Sequence, residues 1–185
     1  MAFTGWPAEA LDLYAGLELD NSRAYWIAHR DVYERAIRAP FAALSDEVTR
    51  EFGPLHLFRP NRDVRFSKDK SPYKTNVAMQ LWHKKRGKKN HTAGLYLHLS
   101  PGQSFAGAGV WHPDTATLNN VRKAIVVKPE SWRKVRDSGL KVGGDSLKRP
   151  PVGFDPAHVF IKDLMLKDFT AGVRFRNSQV TSLSF

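Results

Sequence analysis

Apolar residues recur at helical spacing through the first third of the chain. Pro7 suits the first turn of a helix, and one side of that helix would carry Ala10, Leu11, Tyr14 and Leu17. Asn21 or Ser22 is placed to cap a second helix, whose apolar face comprises Tyr25, Trp26, His29, Val32, Tyr33, Ala36 and Ile37. Pro40 either kinks this helix or begins a third one, which ends at Gly53. This part of the chain therefore predicts a layer of helices.

The spacing changes to alternation after Pro54, which is the pattern of strands. Strands are predicted at residues 55–59, 77–82, 95–99 and 103–112. A basic turn at 84–91 and a tight turn at 100–102 would connect the last three. Connections this short make neighbouring strands antiparallel. Gly107 and Gly109 weaken the fourth strand, which indicates a bulge or the close approach of another backbone.

Further helices are predicted after the sheet. Asp114 or Thr115 would cap one helix, and Pro129 would open another that ends at Gly139. An irregular segment follows at 142–156, then a short helix at 159–166 and an extended stretch at 169–175. The fold class is therefore α+β, with an N-terminal helical layer packed on an antiparallel sheet and further helices after the sheet. The length of 185 residues fits a single domain over residues 1–185.

Composition excludes several classes of protein. With no cysteine, the chain has no disulfide framework, no thiolate nucleophile and no cysteine-ligated zinc site. No segment approaches the roughly 20 consecutive apolar residues of a membrane span. The first residues lack the basic and apolar regions of a secretion signal, so the cytoplasm is the predicted location.

Positive charge is concentrated in the middle of the chain. The formal net charge is +11, and residues 59–91 hold eleven Lys or Arg side chains against only Asp63 and Asp69, a local charge of +9. Such a region attracts phosphates, nucleic acid or acidic substrates. The alternative is a solvated basic face that only keeps the protein soluble. For the turn at 84–89 the sequence favours neither interpretation over the other.

Residues 59–76 fit neither a helix nor a strand, because their apolar residues are too few and too irregular. We call this segment the 59–76 loop. It is predicted to bind a phosphorylated or other anionic small molecule through Arg62, Arg65, Lys70, Tyr73 and Lys74. If the protein is an enzyme, Asp63 or Asp69 is the candidate base. The competing interpretation is an internal ion-pair network in which Asp63 and Asp69 hold the arginines and fix the loop.

Other functional classes stay open. A nucleic-acid-binding module would use the turn at 84–89, with phosphate contacts from Lys84, Lys85, Arg86, Lys88 and Lys89. An interaction or scaffold protein is a third reading. The sequence contains no Walker loop, no Gly-x-Ser-x-Gly elbow and no His-Glu-x-x-His motif, and it does not indicate which cofactor, if any, the protein uses. No metal site is predicted, because the histidines are scattered; the one pairing worth keeping joins His83 with His98 or His112.

A set of motifs spread along the chain resembles a known family. They are Phe3-x-Gly5-x-Pro7, Asn21 with Arg23 and Trp26, His29-Arg30, the continuous run 62–76, Gly107-x-Gly109-x-x-x-Pro113, 147–154 and 167–169. Together they resemble the bacterial and fungal family catalogued as domain of unknown function 2461, over nearly the whole chain. The resemblance implies a single α+β domain and assigns no catalyst. Family members usually continue past Phe169 into a further helical segment, whereas residues 175–185 here are polar and short.

Overall fold

A computed structural model describes residues 2–82 and 93–185 of the chain. The helices are α1 (Ala8–Leu19), α2 (Arg23–Ala28), α3 (Arg30–Val32), α4 (Ala39–Phe52), α5 (Thr115–Val127), α6 (Pro129–Asp137), α7 (Ile161–Leu164) and α8 (Asn177–Val180). The strands are β1 (Leu55–Leu57), β2 (Val77–Trp82), β3 (Gly94–Leu99), β4 (Phe105–Val110) and β5 (Phe169–Arg174). This architecture confirms the α+β prediction, with an N-terminal helical region, an antiparallel sheet and later helices.

The first two helices form where the apolar spacing and the caps predict them. α1 follows Pro7 and buries one side, comprising Ala10, Leu11, Leu13, Tyr14 and Leu17. α2 is capped by Ser22, whose Oγ accepts a hydrogen bond from the Tyr25 N–H at 3.1 Å. Ser22 is thus the cap, which leaves the other predicted candidate, Asn21, free for a different contact.

The predicted second helix is not one continuous α-helix. It is interrupted at His29, continues through the three residues of α3, and then forms a π-helical segment at Tyr33–Arg38 that leads directly into α4. Pro40 lies in the first turn of α4 and has no N–H to donate to the carbonyl four residues before it. We attribute the wider π spacing to this missing donor. The apolar face is preserved, because Tyr33, Ala36 and Ile37 are all buried.

The five strands form one sheet in sequential order, β1-β2-β3-β4-β5. β1 pairs with β2 in antiparallel fashion, with Leu55 opposite Leu81 and Leu57 opposite Met79. Val77 and Met79, which lie on one face of β2, belong to the core formed with the helices, and Ala78 on the opposite face is buried as well. The predicted turn at 84–91 lies outside the described residues.

The chain forms two compact units, and the prediction of a single domain stays a prediction. The first unit comprises Met1–Lys84, Tyr96–Ala106 and Arg174–Phe185. Its core joins helices α1 and α8, the π-helical segment and strands β2 and β3 through buried residues that include Trp6, Tyr14, Leu17, Ile37, Tyr73, Met79, Leu99 and Val180. The partly buried Phe41 and Leu44 of α4 pack against it.

The end of the chain completes this first core. α8 was not predicted, because residues 175–185 show no apolar period. Val180 is nevertheless fully buried, and its carbonyl accepts the Trp6 N–H at 3.1 Å. Gly5 has φ +81°, and a Cβ placed on it would lie 2.2 Å from the Ser182 carbonyl oxygen. The backbone at Ser182 therefore leaves no room for a side chain at residue 5.

The second unit comprises Lys85–Leu95 and Gly107–Val173, and its described core contains Ile125, Leu164, Leu166 and Phe169. Arg122 is buried there and donates from Nε to the Leu164 carbonyl at 2.7 Å and from Nη2 to the Leu166 carbonyl at 3.1 Å. These carbonyls belong to the last residue of the short helix α7 and to a residue just after it, so the arginine satisfies backbone acceptors that burial would otherwise leave unpaired. Burial lowers the pKa of Arg122. Its role here is structural.

Candidate functional site

The 59–76 loop is closed at its base by a short piece of antiparallel pairing. Asn61 and Tyr73 form an isolated bridge, in which the Arg62 N–H donates to the Pro72 carbonyl and the Lys74 N–H donates to the Pro60 carbonyl, both at 2.9 Å. Apart from this bridge the loop contains no helix or strand. It is therefore a closed, irregular loop between β1 and β2, as its sequence predicts.

Asn21 joins this loop to the helical layer. Its side-chain Oδ1 accepts the Tyr73 N–H at 2.9 Å, while Nδ2 donates to the Tyr73 carbonyl and to the Leu17 carbonyl, each at 3.1 Å. The amide thus pairs with Tyr73 in the way a neighbouring strand would. Asn21 follows the end of α1, so the loop is held against the C-terminal turn of that helix.

The Tyr73 side chain provides the apolar half of the same anchor. Its ring stacks on Trp26 of α2, with centroids 4.8 Å apart and planes inclined by 18°, and Trp26 in turn contacts Tyr33 at 5.0 Å. Tyr73 is only 7% exposed and belongs to the core of the first unit. It was predicted to contact the ligand, and the structure places it in the wall of a cleft with most of its ring in the core.

Both carboxylates of the loop bind arginines. Asp63 accepts two hydrogen bonds from the Arg65 side chain, from Nε at 2.9 Å and from Nη2 at 2.7 Å. Asp69 accepts a hydrogen bond from Nη1 of Arg62, and its other oxygen accepts the Ser71 N–H at 2.9 Å and the Ser71 hydroxyl at 2.6 Å. These contacts are those of the predicted ion-pair network. They also order the arginines that were predicted to bind an anion.

The hydrogen bonds have a direct electrostatic consequence. Those from Ser71, followed by the one from Arg62, hold the pKa of Asp69 far below its usual range. The pKa of Asp63 is lowered mainly by the side chain of Arg65. A carboxylate with a lowered pKa is a weaker base, so this geometry does not favour either Asp63 or Asp69 as a general base.

Two lysines of the loop bind backbone carbonyls instead of carboxylates. Nζ of Lys70 donates to the Val64 carbonyl and Nζ of Lys74 donates to the Arg59 carbonyl, both at 2.9 Å. Lys74 also lies over the Phe58 ring, 5.5 Å from its centroid. Burial lowers the pKa of Lys74, and the nearby charge of Arg59 lowers it further. No carboxylate within residues 2–82 or 93–185 forms an ion pair with Lys74.

An open cleft of about 430 Å³ lies between the base of this loop and the end of α1. It is lined by Leu17, Glu18, Asn21, Arg62, Asp69, Ser71, Tyr73, Lys74, Thr75 and Asn76. The lining combines two cations, two carboxylates and several hydroxyl and amide groups. Its volume is that of small-molecule sites in proteins.

The structure separates the five predicted ligand residues into two groups. Arg62, Tyr73 and Lys74 line the cleft, whereas Arg65 and Lys70 do not. The side chain of Arg65 is 76% exposed and lies beside Phe66, which is itself 95% exposed. Of the two predicted catalytic candidates, Asp69 lines the cleft and Asp63 does not. Ligand binding by these residues stays a prediction.

Several cleft residues were missed by sequence reasoning. Glu18, Ser71, Thr75 and Asn76 line the cleft, and so does Asn21, which was predicted as a possible helix cap and as part of a family motif but not as a cleft residue. The one usable signal was the polar pair Asn21-Ser22 after an apolar helix, since a helix needs only one cap and the second residue is then available for another contact.

The remaining predictions concern residues of which less is described. Lys84, Lys85, Arg86, Lys88 and Lys89 lie outside the described residues, and so does His83. His98 is half-buried, stacks on Phe105 with centroids 5.0 Å apart, and has a pKa lowered by burial. In the described ranges no three His, Asp or Glu side chains are grouped as a metal site would require. No described helix is long and apolar enough to cross a membrane.

The fold and the cleft define an α+β protein with a polar, mixed-charge pocket beside an ordered basic loop. The chain belongs to the family described as conserved hypothetical protein (DUF2461), whose model matches residues 9–185. This match confirms the resemblance seen in the sequence motifs. No curated protein shows a significant similarity to the chain.

Proposed function

We propose that this protein binds a small phosphorylated or otherwise anionic ligand in the cleft at the base of the 59–76 loop, with Arg62 and Lys74 as the cationic contacts. The observation that carries the proposal is the environment of Lys74. Its ammonium group is partly buried in the cleft wall, close to Arg59, and its described partners are a carbonyl oxygen and an aromatic ring. An anion in the cleft would supply the missing countercharge.

Arg62 completes the cationic side of the cleft. Its side chain is 28% exposed, and its contact with Asp69 uses one of the two terminal guanidinium nitrogens. A guanidinium has five N–H donors, so the ion pair with Asp69 fixes its orientation and leaves donors for a ligand oxygen. Ser71, Thr75 and Asn76 add hydroxyl and amide groups in the same wall. Such a set suits a ligand that carries hydroxyl groups as well as an anion.

The test is ligand-dependent stabilisation of the purified protein. Inorganic phosphate and a panel of sugar phosphates and nucleotides are added during thermal unfolding, and a ligand at 100 times its Kd should stabilise the fold by about 2.7 kcal/mol. Lys74→Met retains most of the length of the side chain and removes its charge, so it should weaken binding about tenfold or more. Lys68→Met is the matched control, because it removes the same charge from an exposed position of the same loop outside the cleft lining.

The outcomes separate the alternatives. If no anion stabilises the wild type, the proposal is wrong. Equal losses in Lys74→Met and Lys68→Met would indicate general electrostatic attraction and no defined site. Stabilisation by oligonucleotides that survives Lys74→Met and disappears when Lys84, Lys85, Lys88 and Lys89 are changed to Ser would favour the nucleic-acid-binding class instead.

A further inference from the structure

Lys74 has the surroundings of a reactive amine. Its Nζ lies in the wall of a cleft, donates one hydrogen bond to the Arg59 carbonyl, and rests against the Phe58 ring. A neutral amine in this position keeps the N–H donor that the carbonyl requires and has a lone pair for a ligand in the cleft. Among the described residues, the two loop lysines compared with it, Lys68 and Lys70, are exposed and do not line the cleft.

Two features of this environment favour the neutral form of the amine. Partial burial disfavours the ammonium, and the positive charge of Arg59 acts in the same direction, so the pKa of Lys74 is lowered. Proteins activate lysine nucleophiles by desolvation and by a neighbouring cation, which are the same two effects. The carboxylates of the loop do not reverse them, because Asp63 is bound to Arg65 and Asp69 is bound to Arg62 and Ser71.

We propose that Lys74 is a nucleophile that forms an imine with a small aldehyde or ketone, and that the same molecule carries a phosphate or carboxylate bound by Arg62. This inference rests on the proposed function for the anion, and on the position of Lys74 for the chemistry. It assigns the ligand to the class of anionic carbonyl compounds. Arg62 then holds the anion, whereas Lys74, which attracts the anion as an ammonium group, loses its proton to solvent before it attacks the carbonyl carbon.

The chemistry requires no oxidant, reductant or metal. The Nζ lone pair attacks the carbonyl carbon and forms a C–N bond, while the electrons of the C=O double bond move to oxygen. A proton passes from nitrogen to that oxygen and gives a carbinolamine. Loss of the hydroxyl group as water, together with the second amine proton, then leaves the C=N double bond. Amine and carbonyl compound are thus converted to imine and water.

The experiment compares two aldehydes that differ only in a phosphate, pyridoxal 5′-phosphate and pyridoxal. Each is incubated with the full chain, the imine is reduced with borohydride, and the labelled lysines are identified by peptide mass spectrometry. Binding beside the nucleophile makes the reaction effectively intramolecular, so pyridoxal phosphate should label Lys74 on the order of tenfold faster than Lys68 and Lys70. Excess inorganic phosphate should slow labelling at Lys74 and leave Lys68 and Lys70 unaffected.

Several results would overturn the inference. If Lys74 is labelled no faster than Lys68 and Lys70, it is not the proposed nucleophile, even if phosphate binds to the protein. Equal rates at Lys74 with the two aldehydes would overturn the anionic class of substrate. The proposed function can fail on its own. If phosphate does not stabilise the wild type but pyridoxal still labels Lys74 faster than Lys68 and Lys70, the proposed anion site is refuted, while the assignment of Lys74 as a nucleophile is supported. Lys74→Arg retains the charge and should lose the label while staying folded.

Discussion

Asn21→Ala should separate the loop from the helical layer at a cost that follows from its contacts. The substitution removes three hydrogen bonds of 2.9–3.1 Å, two to the backbone of Tyr73 and one to the Leu17 carbonyl. At about 1 kcal/mol each they amount to about 3 kcal/mol. Tyr73 is 7% exposed, so water replaces its lost partners poorly, whereas the half-buried position of Asn21 admits some water. We therefore expect a loss of about 2–3 kcal/mol.

The measurement is urea unfolding of the wild type and the variant, supported by thermal unfolding. For a chain of this size a loss of 2–3 kcal/mol corresponds to a decrease in Tm of about 4–12 °C. Hydrogen exchange should also show faster exchange of the Tyr73 amide, whose acceptor is the Asn21 side chain. Asn21→Asp keeps the acceptor for that amide but turns a carboxylate toward two carbonyls, so we expect at least as large a loss.

Asn61→Ala is the control for this prediction. Asn61 lies in the same loop, is exposed, and pairs with Tyr73 through its backbone, so removal of its side chain should change the unfolding free energy by less than about 0.5 kcal/mol. If Asn21→Ala costs less than about 0.5 kcal/mol, or no more than Asn61→Ala, then the Asn21 amide does not anchor the loop. Some other contact would then have to hold the 59–76 loop beside α1.

Three further predictions follow from the contacts described. Ser71→Ala should raise the pKa of Asp69 toward its usual value, measured by carboxyl NMR titration; the stabilisation that Asp69 provides is present above about pH 4 and is lost as the pH falls through the folded-state pKa, so in the variant it should be smaller and its loss should be complete at a higher pH. Gly109→Ala should cost more than about 2 kcal/mol in urea unfolding, because φ is +137° and the new Cβ would meet the Phe169 carbonyl oxygen at 2.0 Å. Arg65→Ala should leave the Tm nearly unchanged, because its ion pair is highly exposed; a large decrease would make Arg65 a structural partner.

Most of the regular elements were predictable because their signals are local. The spacing of apolar residues in α1 and the alternation in β2 and β3 each occur within a few residues, and the structure places the elements where these patterns predict them. The cap of α5 was also predicted, since the Asp114 side chain accepts the Thr117 N–H at 2.7 Å. The π-helical segment was not, because it depends on how the helix accommodates Pro40 and leaves the apolar face unchanged.

The cleft was only partly predictable, because its contacts join distant parts of the chain. The 59–76 loop was identified by its charge, but the partner of Tyr73 lies 52 residues earlier, at Asn21. Asp69 binds Arg62, which lies seven residues away along the chain. Glu18 carries no signal in the sequence that distinguishes it from other exposed helical residues. Irregular loops place side chains by backbone geometry, which residue spacing does not encode.

The shortness of β1 bears on how the protein avoids self-association. β1 contains three residues and lies at one end of the strand order, so one of its sides faces no strand within the described sheet. An unpaired strand edge is a template on which a second chain can add a strand. Pro54 precedes β1 and Pro60 follows shortly after it, and neither residue can donate a backbone hydrogen bond. The usable edge is therefore too short for stable strand addition, and the prolines that frame the loop also protect the sheet from aggregation.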